Sequence, residues 1–385
     1  MTTSNGPISP VRIYFLGSGR IGGPILAALR DDPRIEVVGV GSQPPKKGKR
    51  GDLTATNLAT TAKNLGYVVQ GYENVNTPEF LQNLRELQID LLVVVAFGQI
   101  LRRDLLELPP CGCLNVHASL LPKYRGASPV EAAILNGDPE TGVAFMKMEA
   151  GLDTGPVYQA YATDTTPQDT TDLLKERLGA LAARHAADVI WKVVRENLQP
   201  VPQDDALATK VGKLGNFEGL VDWNQKAERI ERMVRAFQTH PTTFFYVKAM
   251  DCDNLKKALW RIIICQATVE PHTLAPGEVP GTILPDPEDP DEQAARQRRG
   301  EKRLSAKHQG IRILCGNNIL KITKLKADGC AKEMTGIEFL NGRTLRATQI
   351  LEAQPLVPKL LDQLREEAAE RKRRHAAATP KISST

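Results

Sequence analysis

Asn115 and His117 stand two residues apart in the run LNVH, and a strand at that point turns both side chains to one face. An amide donor beside an imidazole suits a reaction in which a carbonyl oxygen gains negative charge while a proton changes hands. Further along, Gly151-Leu152-Asp153-Thr154-Gly155 sets a single carboxylate in a glycine-flanked loop. Such a carboxylate can orient the imidazole and hold a water. Taken alone, each piece has a plainer explanation. An Asn-x-His pair is more often an ordinary hydrogen-bonding pair, and an Asp between glycines is usually a turn residue. A metal at His117 would need further His, Asp or Cys ligands at suitable spacing, and the neighbouring sequence supplies none.

Residues of this kind need elements to hold them. In the first half of the chain, short apolar runs alternate with amphipathic stretches, the pattern of a mostly parallel sheet wrapped by helices. Strands are expected over 11–16, 35–41, 67–70, 90–96, 113–117 and 143–148, with helices over 20–29, 54–65, 77–87, 129–135 and 170–197. Sheets of this kind bind ligands beyond the carboxyl ends of their strands, where Asn115 and His117 fall. Residues 199–206 (QPVPQDDA) read as a linker. A helix over 227–237 and strands over 243–248, 259–267, 281–284, 311–314 and 319–325 then suit a small barrel or sandwich. The stretch 285–309, acidic and proline-rich before it turns basic, reads as an exposed insertion. The run from 359 onward, with Arg371, Lys372, Arg373 and Arg374, reads as a frayed charged helix and tail with little apolar pattern.

Composition narrows the classes. Of 385 residues, 41% are hydrophobic and 25% charged, enough for packed cores and unlike a disordered or collagen-like chain. Lys and Arg number 50 against 45 Asp and Glu, a net charge of +5 that permits a polyanionic partner without requiring one. Nine Phe, 7 Tyr and 3 Trp are too few for an aromatic platform that stacks many bases. The 6 cysteines include no CxxC pair, and no apolar run approaches the about 20 residues that span a bilayer. Residues 1–10 lack the features of a signal or transit peptide. A soluble protein of a reducing cytoplasm, with no membrane association and no metal, is expected.

Gly17-Ser18-Gly19-Arg20-Ile21-Gly22 is a formal GxGxxG between an expected strand and helix. A dinucleotide site also needs an acid at the end of the second strand, and there the sequence has Gly41-Ser42-Gln43. These glycines are therefore expected to serve packing of the first helix on the first strand rather than a nicotinamide cofactor.

Taken together, residues 114–155 (LNVHASLLPKYRGASPVEAAILNGDPETGVAFMKMEAGLDTG) resemble the signature of the folate-dependent formyltransferases. SLLPKYRG, NGDPETGV and GLDTG are most similar to the branch that formylates methionyl-tRNA, and the likeness runs over about residues 11 to 355. It includes QPPKKGKRG, VVVAFGQIL, ATKVGKLGNFEGLVDWN and ERIERMVRAFQTHP. The resemblance implies an α/β fold: a Rossmann-like formyltransferase domain with a mostly parallel sheet over 11–198, a linker over 199–212, and an OB-like β-barrel that binds tRNA over 213–357. A flexible N-terminus (1–10), the insertion 285–309 and a charged tail (358–385) flank or interrupt these. It implies 10-formyltetrahydrofolate as donor and methionyl-initiator tRNA as acceptor, in a monomer of a bacterial-type cytoplasm. By the same resemblance the catalytic residues are Asn115, His117 and Asp153. The folate contacts are Ser119, Leu120, Leu121 and Pro122, with Ala96, Phe97, Gly98, Gln99 and Ile100 from the preceding strand end. Lys46, Lys47, Lys49 and Arg50 form a basic loop expected to meet the acceptor stem, with further phosphate contacts at Lys210, Lys213, Arg235 and Lys248.

The chain departs from the family pattern in a shorter basic loop, in the insertion and tail, and in the glycine-rich first turn GSGRIGG. The main rival is a formyltransferase acting on a small amine, a ribonucleotide or an amino sugar nucleotide. The expected barrel and the basic loop favour tRNA over it. A formyl-folate hydrolase and a non-enzymatic nucleic-acid-binding barrel fit less well: the first lacks a visible partner module, and the second leaves the trio without a purpose.

Overall fold

The structure, a computed structural model of the chain, describes residues 9–47, 52–249, 254–284, 310–336, 338–339 and 347–378. The expected insertion 285–309, Lys49, Arg50 and most of the N-terminal stretch 1–10 lie outside the described residues, as do the side chains of Lys47, Arg371, Lys372 and Arg374. The chain divides into two compact units, Met1–Leu214 and Gly215–Thr385.

The elements of the first unit are β1 (Val11–Gly17), α1 (Gly22–Asp31), β2 (Ile35–Ser42), β3 (Lys46–Lys47), β4 (Leu53–Thr54), α2 (Asn57–Asn64), β5 (Val69–Gly71), α3 (Pro78–Glu86), β6 (Leu91–Val95), α4 (Arg103–Leu106), β7 (Cys113–His117), β8 (Arg125–Gly126), α5 (Pro129–Asn136), β9 (Glu140–Lys147), β10 (Val157–Asp164), α6 (Thr171–Arg195) and β11 (Lys210–Val211). Five parallel strands run in the order β5-β2-β1-β6-β7. Antiparallel β9 and then β10 extend the sheet beyond β7.

The strand β6, Leu-Leu-Val-Val-Val, is buried at every position, as an apolar run covered on both faces must be. One face packs Tyr14, Leu16, Leu92 and Val94 against Phe80, Leu84 and Leu105. Local sequence fixes the helix starts. Thr56, Thr77 and Thr170 cap α2, α3 and α6 by accepting from the backbone N–H three residues on, and Pro78 opens α3 where its missing donor costs nothing. Gly137, at φ +69, ends α5 in the left-handed conformation a helix stop favours. The sequence reading omits β10, whose burial is only partial, consistent with its place at the sheet edge.

The glycines of the first turn make room chiefly for a different element from the one expected. A Cβ on Gly17 would fall 2.8 Å from both Leu58 Cδ2 and the Val95 carbonyl oxygen, and one on Gly22 would fall 3.2 Å from Leu58 Cδ1. Leu58, fully buried on α2, is what packs into this turn. At the end of β2 Ser42 is engaged by Thr56 through their hydroxyls at 2.6 Å.

The second unit holds α7 (Ala227–Ala236), β12 (Thr243–Lys248), α8 (Leu255–Ala258), β13 (Leu259–Glu270), β14 (Ile283–Leu284), β15 (Ile311–Leu314), β16 (Ile319–Ala327), β17 (Met334–Thr335), α9 (Ala347–Ala353) and α10 (Val357–Ala378). The antiparallel order β12-β13-β16-β15-β14, with β17 on β16, is the OB-like sheet. Alternation along β12 gives it two buried faces: Phe245 and Val247 join the core with Trp223, Ile230 and Ile322, while Phe244 and Tyr246 join the other side. That other side corrects the expectation for the tail. Val357 and Leu360, buried on α10, pack with Phe244, Tyr246, Leu259 and Ile263, and Leu361 and Leu364 lie against the same cluster. Their spacing of three and four residues is an apolar stripe that charged neighbours obscure. Of the basic residues expected to meet phosphate, Arg235 is paired at two points with Glu231, and Lys248 lies 3.8 Å from Glu352.

Candidate active site

The strands β1, β2, β6 and β7 run parallel and end on one side of the sheet, so the segments that follow them gather there. Ser18 Oγ accepts from the Gln43 N–H at 3.1 Å, and Gln43 Nε2 donates to the Phe97 carbonyl at 3.1 Å. Gln99 donates to the Tyr72 carbonyl and accepts from the Val75 N–H at 3.0 Å. Ala96 (φ +47) and Gly98 (φ +79) bend the chain sharply after β6. Among the residues assigned to folate, Phe97 turns into the core and Ser119 is buried with its hydroxyl on the Lys123 carbonyl, whereas Ile100 is 77% exposed. Leu120, Leu121 and Pro122 are half-buried in the turn after β7, and the Leu121–Pro122 peptide is cis. Lys46 and Lys47 pair with Thr54 and Leu53 in a short hairpin.

On β7, Asn115 and His117 share a face, and β6 and β9 flank the strand. The half-buried Asn115 amide has no hydrogen-bond partner among the described residues, so its donors remain available to a bound group. The His117 imidazole is buried and held at both ends. Its Nε2 lies 2.9 Å from the Tyr124 carbonyl and its Nδ1 lies 3.6 Å from Asp153 Oδ2. A carbonyl only accepts, so Nε2 carries a proton and, in the neutral ring, Nδ1 presents a lone pair.

Asp153 sits at φ +54, a conformation that Asp tolerates better than most residues. Its Oδ2 accepts from the Gly126 N–H at 2.9 Å. Gly126 itself, at φ +121, could not carry a side chain, because its Cβ would fall 2.1 Å from the Val211 carbonyl oxygen. Tyr124 is braced through its hydroxyl, which donates to Asp138 at 2.8 Å and accepts from Asn136 Nδ2 at 2.8 Å. Burial pushes that hydroxyl's pKa up, so it stays a donor. Burial also pushes the Cys113 thiol up to about 12, and its Sγ rests near the Leu105 and Leu106 carbonyls, which leaves no thiolate nucleophile on β7. Among the described residues no three His, Cys, Asp or Glu side chains gather as a metal site.

The structure thus brings His117 and Asp153 together with Asn115 on the same strand. Sequence reasoning misses the supports: Tyr124, the Arg125–Gly126 strand, and Gln203 and Thr209 from the stretch read as a linker. Tyr124, Arg125 and Gly126 lie within the SLLPKYRG motif, but nothing in the motif itself marks them as supports of His117 and Asp153. Gln203 and Thr209 act from far along the chain.

The model of the formyl transferase family matches residues 11–190, and that of the formyl transferase C-terminal domain matches 213–344. The methionyl-tRNA formyltransferase of Xylella fastidiosa strain 9a5c is 35% identical over 341 residues, spanning 86% of this chain and 98% of that protein. The chain belongs to the methionyl-tRNA formyltransferase family. Another methionyl-tRNA formyltransferase, from Sorangium cellulosum, is 34% identical over 342 residues, 89% of this chain and 99% of its own. The one from Acidithiobacillus ferrooxidans strain ATCC 53993 reaches 46% over 234 residues, 60% of this chain and 74% of its own. Among solved structures, an N-formyltransferase of Helicobacter canadensis, crystallised with folinic acid and dTDP-3-aminofucose, superposes with a TM-score of 0.52 at 16% identity, covering 81% of this chain and 99% of that one. At that identity it shows a shared fold.

Proposed function

We propose that this chain transfers the formyl group of 10-formyltetrahydrofolate to the α-amino group of methionyl-initiator tRNA, giving N-formylmethionyl-tRNA. The observation that carries the reading is the match to methionyl-tRNA formyltransferases through both units, over as much as 98–99% of the relatives' length. The relatives are bacterial, which supports action in a bacterial-type cytoplasm; as a working state we take a monomer. No helix among the described residues is long and apolar enough to cross a membrane.

The chemistry asks for few groups. An α-amino group has a pKa of about 8, so an appreciable fraction is neutral and nucleophilic near pH 7. Asn115 donates to the formyl oxygen as that oxygen takes negative charge. His117 takes up, at Nδ1, the proton that the amine sheds as its bond to carbon forms. Asp153 then faces an N–H in place of a lone pair, and the 3.6 Å contact becomes charge-assisted. The bond from carbon to the donor nitrogen breaks, and the proton returned from His117 ends on that nitrogen. No metal is required, because the donor is already activated. The Ala96–Ile100 and Ser119–Pro122 segments border this position and are the proposed folate contacts. Lys46, Lys47, Lys49 and Arg50 are the proposed contacts to the acceptor stem.

Incubation with 10-formyltetrahydrofolate and either charged initiator or charged elongator methionine tRNA tests the proposal. Formylation of the initiator species is expected. Transfer to a ribonucleotide amine or an amino sugar nucleotide, with none to tRNA, would overturn it.

A further inference from the structure

The stretch after α6 is more than a tether, because it is threaded through the supports of the site. Val201 exchanges both backbone hydrogen bonds with Val157 at 2.8 Å. Thr209 accepts at Oγ1 from the Tyr124 N–H and at its carbonyl from the Arg125 N–H, each at 2.8 Å. Lys210 and Val211 pair with Arg125 and Gly126 as parallel strands. Between these anchors Gln203 is half-buried while its neighbours are exposed.

The Gln203 amide commits both its N–H donors and its oxygen to the site. Nε2 donates to the carbonyls of Asp153 (2.9 Å) and Gly155 (2.7 Å), and Oε1 accepts from Arg125 Nε at 2.9 Å. Arg125, only 5% exposed, also donates from Nη2 to Asp205 at 2.8 Å. The residue that follows it, Gly126, donates to the Asp153 carboxylate. One amide therefore joins the main chain at Asp153 and at Gly155, two residues on, to the strand that holds the Asp153 side chain. We infer that Gln203 is a positioning residue of the transfer reaction: its two N–H donors hold the loop so that Asp153 keeps its place beside His117.

The inference rests on the proposed role of Asp153 in formyl transfer, and the test separates the two. Single-turnover transfer to charged initiator tRNA is measured for the full chain, for Gln203→Ala, Gln203→Glu and Asp153→Ala, and for the Gln203→Ala/Asp153→Ala double variant, with folate and tRNA dissociation constants for each. Gln203→Glu keeps the stem and the Arg125 contact but turns an oxygen toward two carbonyls. It decides the matter if the alanine variant does not fold. Misplacement of a catalytic group by about an ångström costs up to about a hundredfold, so losses of about ten- to a hundredfold are expected in both Gln203 variants, with dissociation constants changed less than about threefold. In the Asp153→Ala background the further loss should shrink to less than about threefold, since nothing is left to position. A folded Gln203→Glu protein at the parent rate overturns the inference, and so do losses that multiply in the double variant. Parent-like turnover by Asp153→Ala instead defeats the role of Asp153 itself.

Discussion

His117 Nδ1 stands 3.6 Å from Asp153 Oδ2, while on the other side of the ring Nε2 donates to the Tyr124 carbonyl at 2.9 Å. The two contacts differ in kind. The carbonyl fixes the tautomer in the resting ring, and the carboxylate gains an attractive partner only once Nδ1 is protonated. An imidazole held this way suits the charge that the proposed mechanism gives it part-way through transfer.

The basic residues within 46–50 should serve tRNA and leave folate alone. Lys46→Ala with Lys47→Ala, and separately Lys49→Ala with Arg50→Ala, should weaken binding of charged tRNA. Each should also flatten its salt dependence by about one unit of slope per lost phosphate contact. An unaltered salt series for tRNA, or an equal loss of folate binding, would remove these residues from the acceptor site.

The C-terminal helix should matter to stability. Leu360, 4% exposed, packs with Phe244, Tyr246 and Ile263, so Leu360→Ala should cost about 2–3 kcal/mol. Truncation before Val357 should cost more, since it strips the whole apolar stripe from that face. Denaturant unfolding reads both. Midpoints equal to the parent's would mean the helix is not docked in solution.

Glu228, at the start of α7, ties that helix to the β15–β16 turn by accepting from Asn317 Nδ2 at 2.9 Å and from Asn318 Nδ2. The Asn317 bond leads in holding its carboxyl below the ordinary range, against the opposing effect of burial. A depressed folded pKa adds stability that is complete above the unfolded value of about 4.3 and fades as pH falls through the folded one. Glu228→Gln should therefore lower stability at neutral pH and flatten its decline in acid below about pH 4. Parallel stability curves for parent and variant from pH 7 downward would contradict this.

Much of the fold was legible because its strands are either continuous apolar runs, such as Leu91–Val95, or end at chemistry-bearing residues, such as His117. The proposed trio stood out through the family resemblance, because residue type and spacing alone left each member with a plainer explanation. What escaped was non-local. Gln203 sits in a polar, proline-bearing stretch that has the composition of a linker, and its three partners are named by tertiary contact alone. The stripe Val357, Leu360, Leu361 and Leu364 escaped for a different reason: it opens a helix rich in charged residues, which lowers the average while leaving the face intact.

The central claim is that Asn115, His117 and Asp153 act together on the transition state, and single-turnover formyl transfer at saturating charged tRNA and 10-formyltetrahydrofolate tests it most directly. Alanine at any one position should slow the step by about a hundredfold or more, with folate binding changed less than about threefold, and combined replacements should cost far less than the product of the separate losses. A folded single variant that transfers formyl near the parent rate, or one whose loss of rate follows a matching loss of folate binding, would contradict the account.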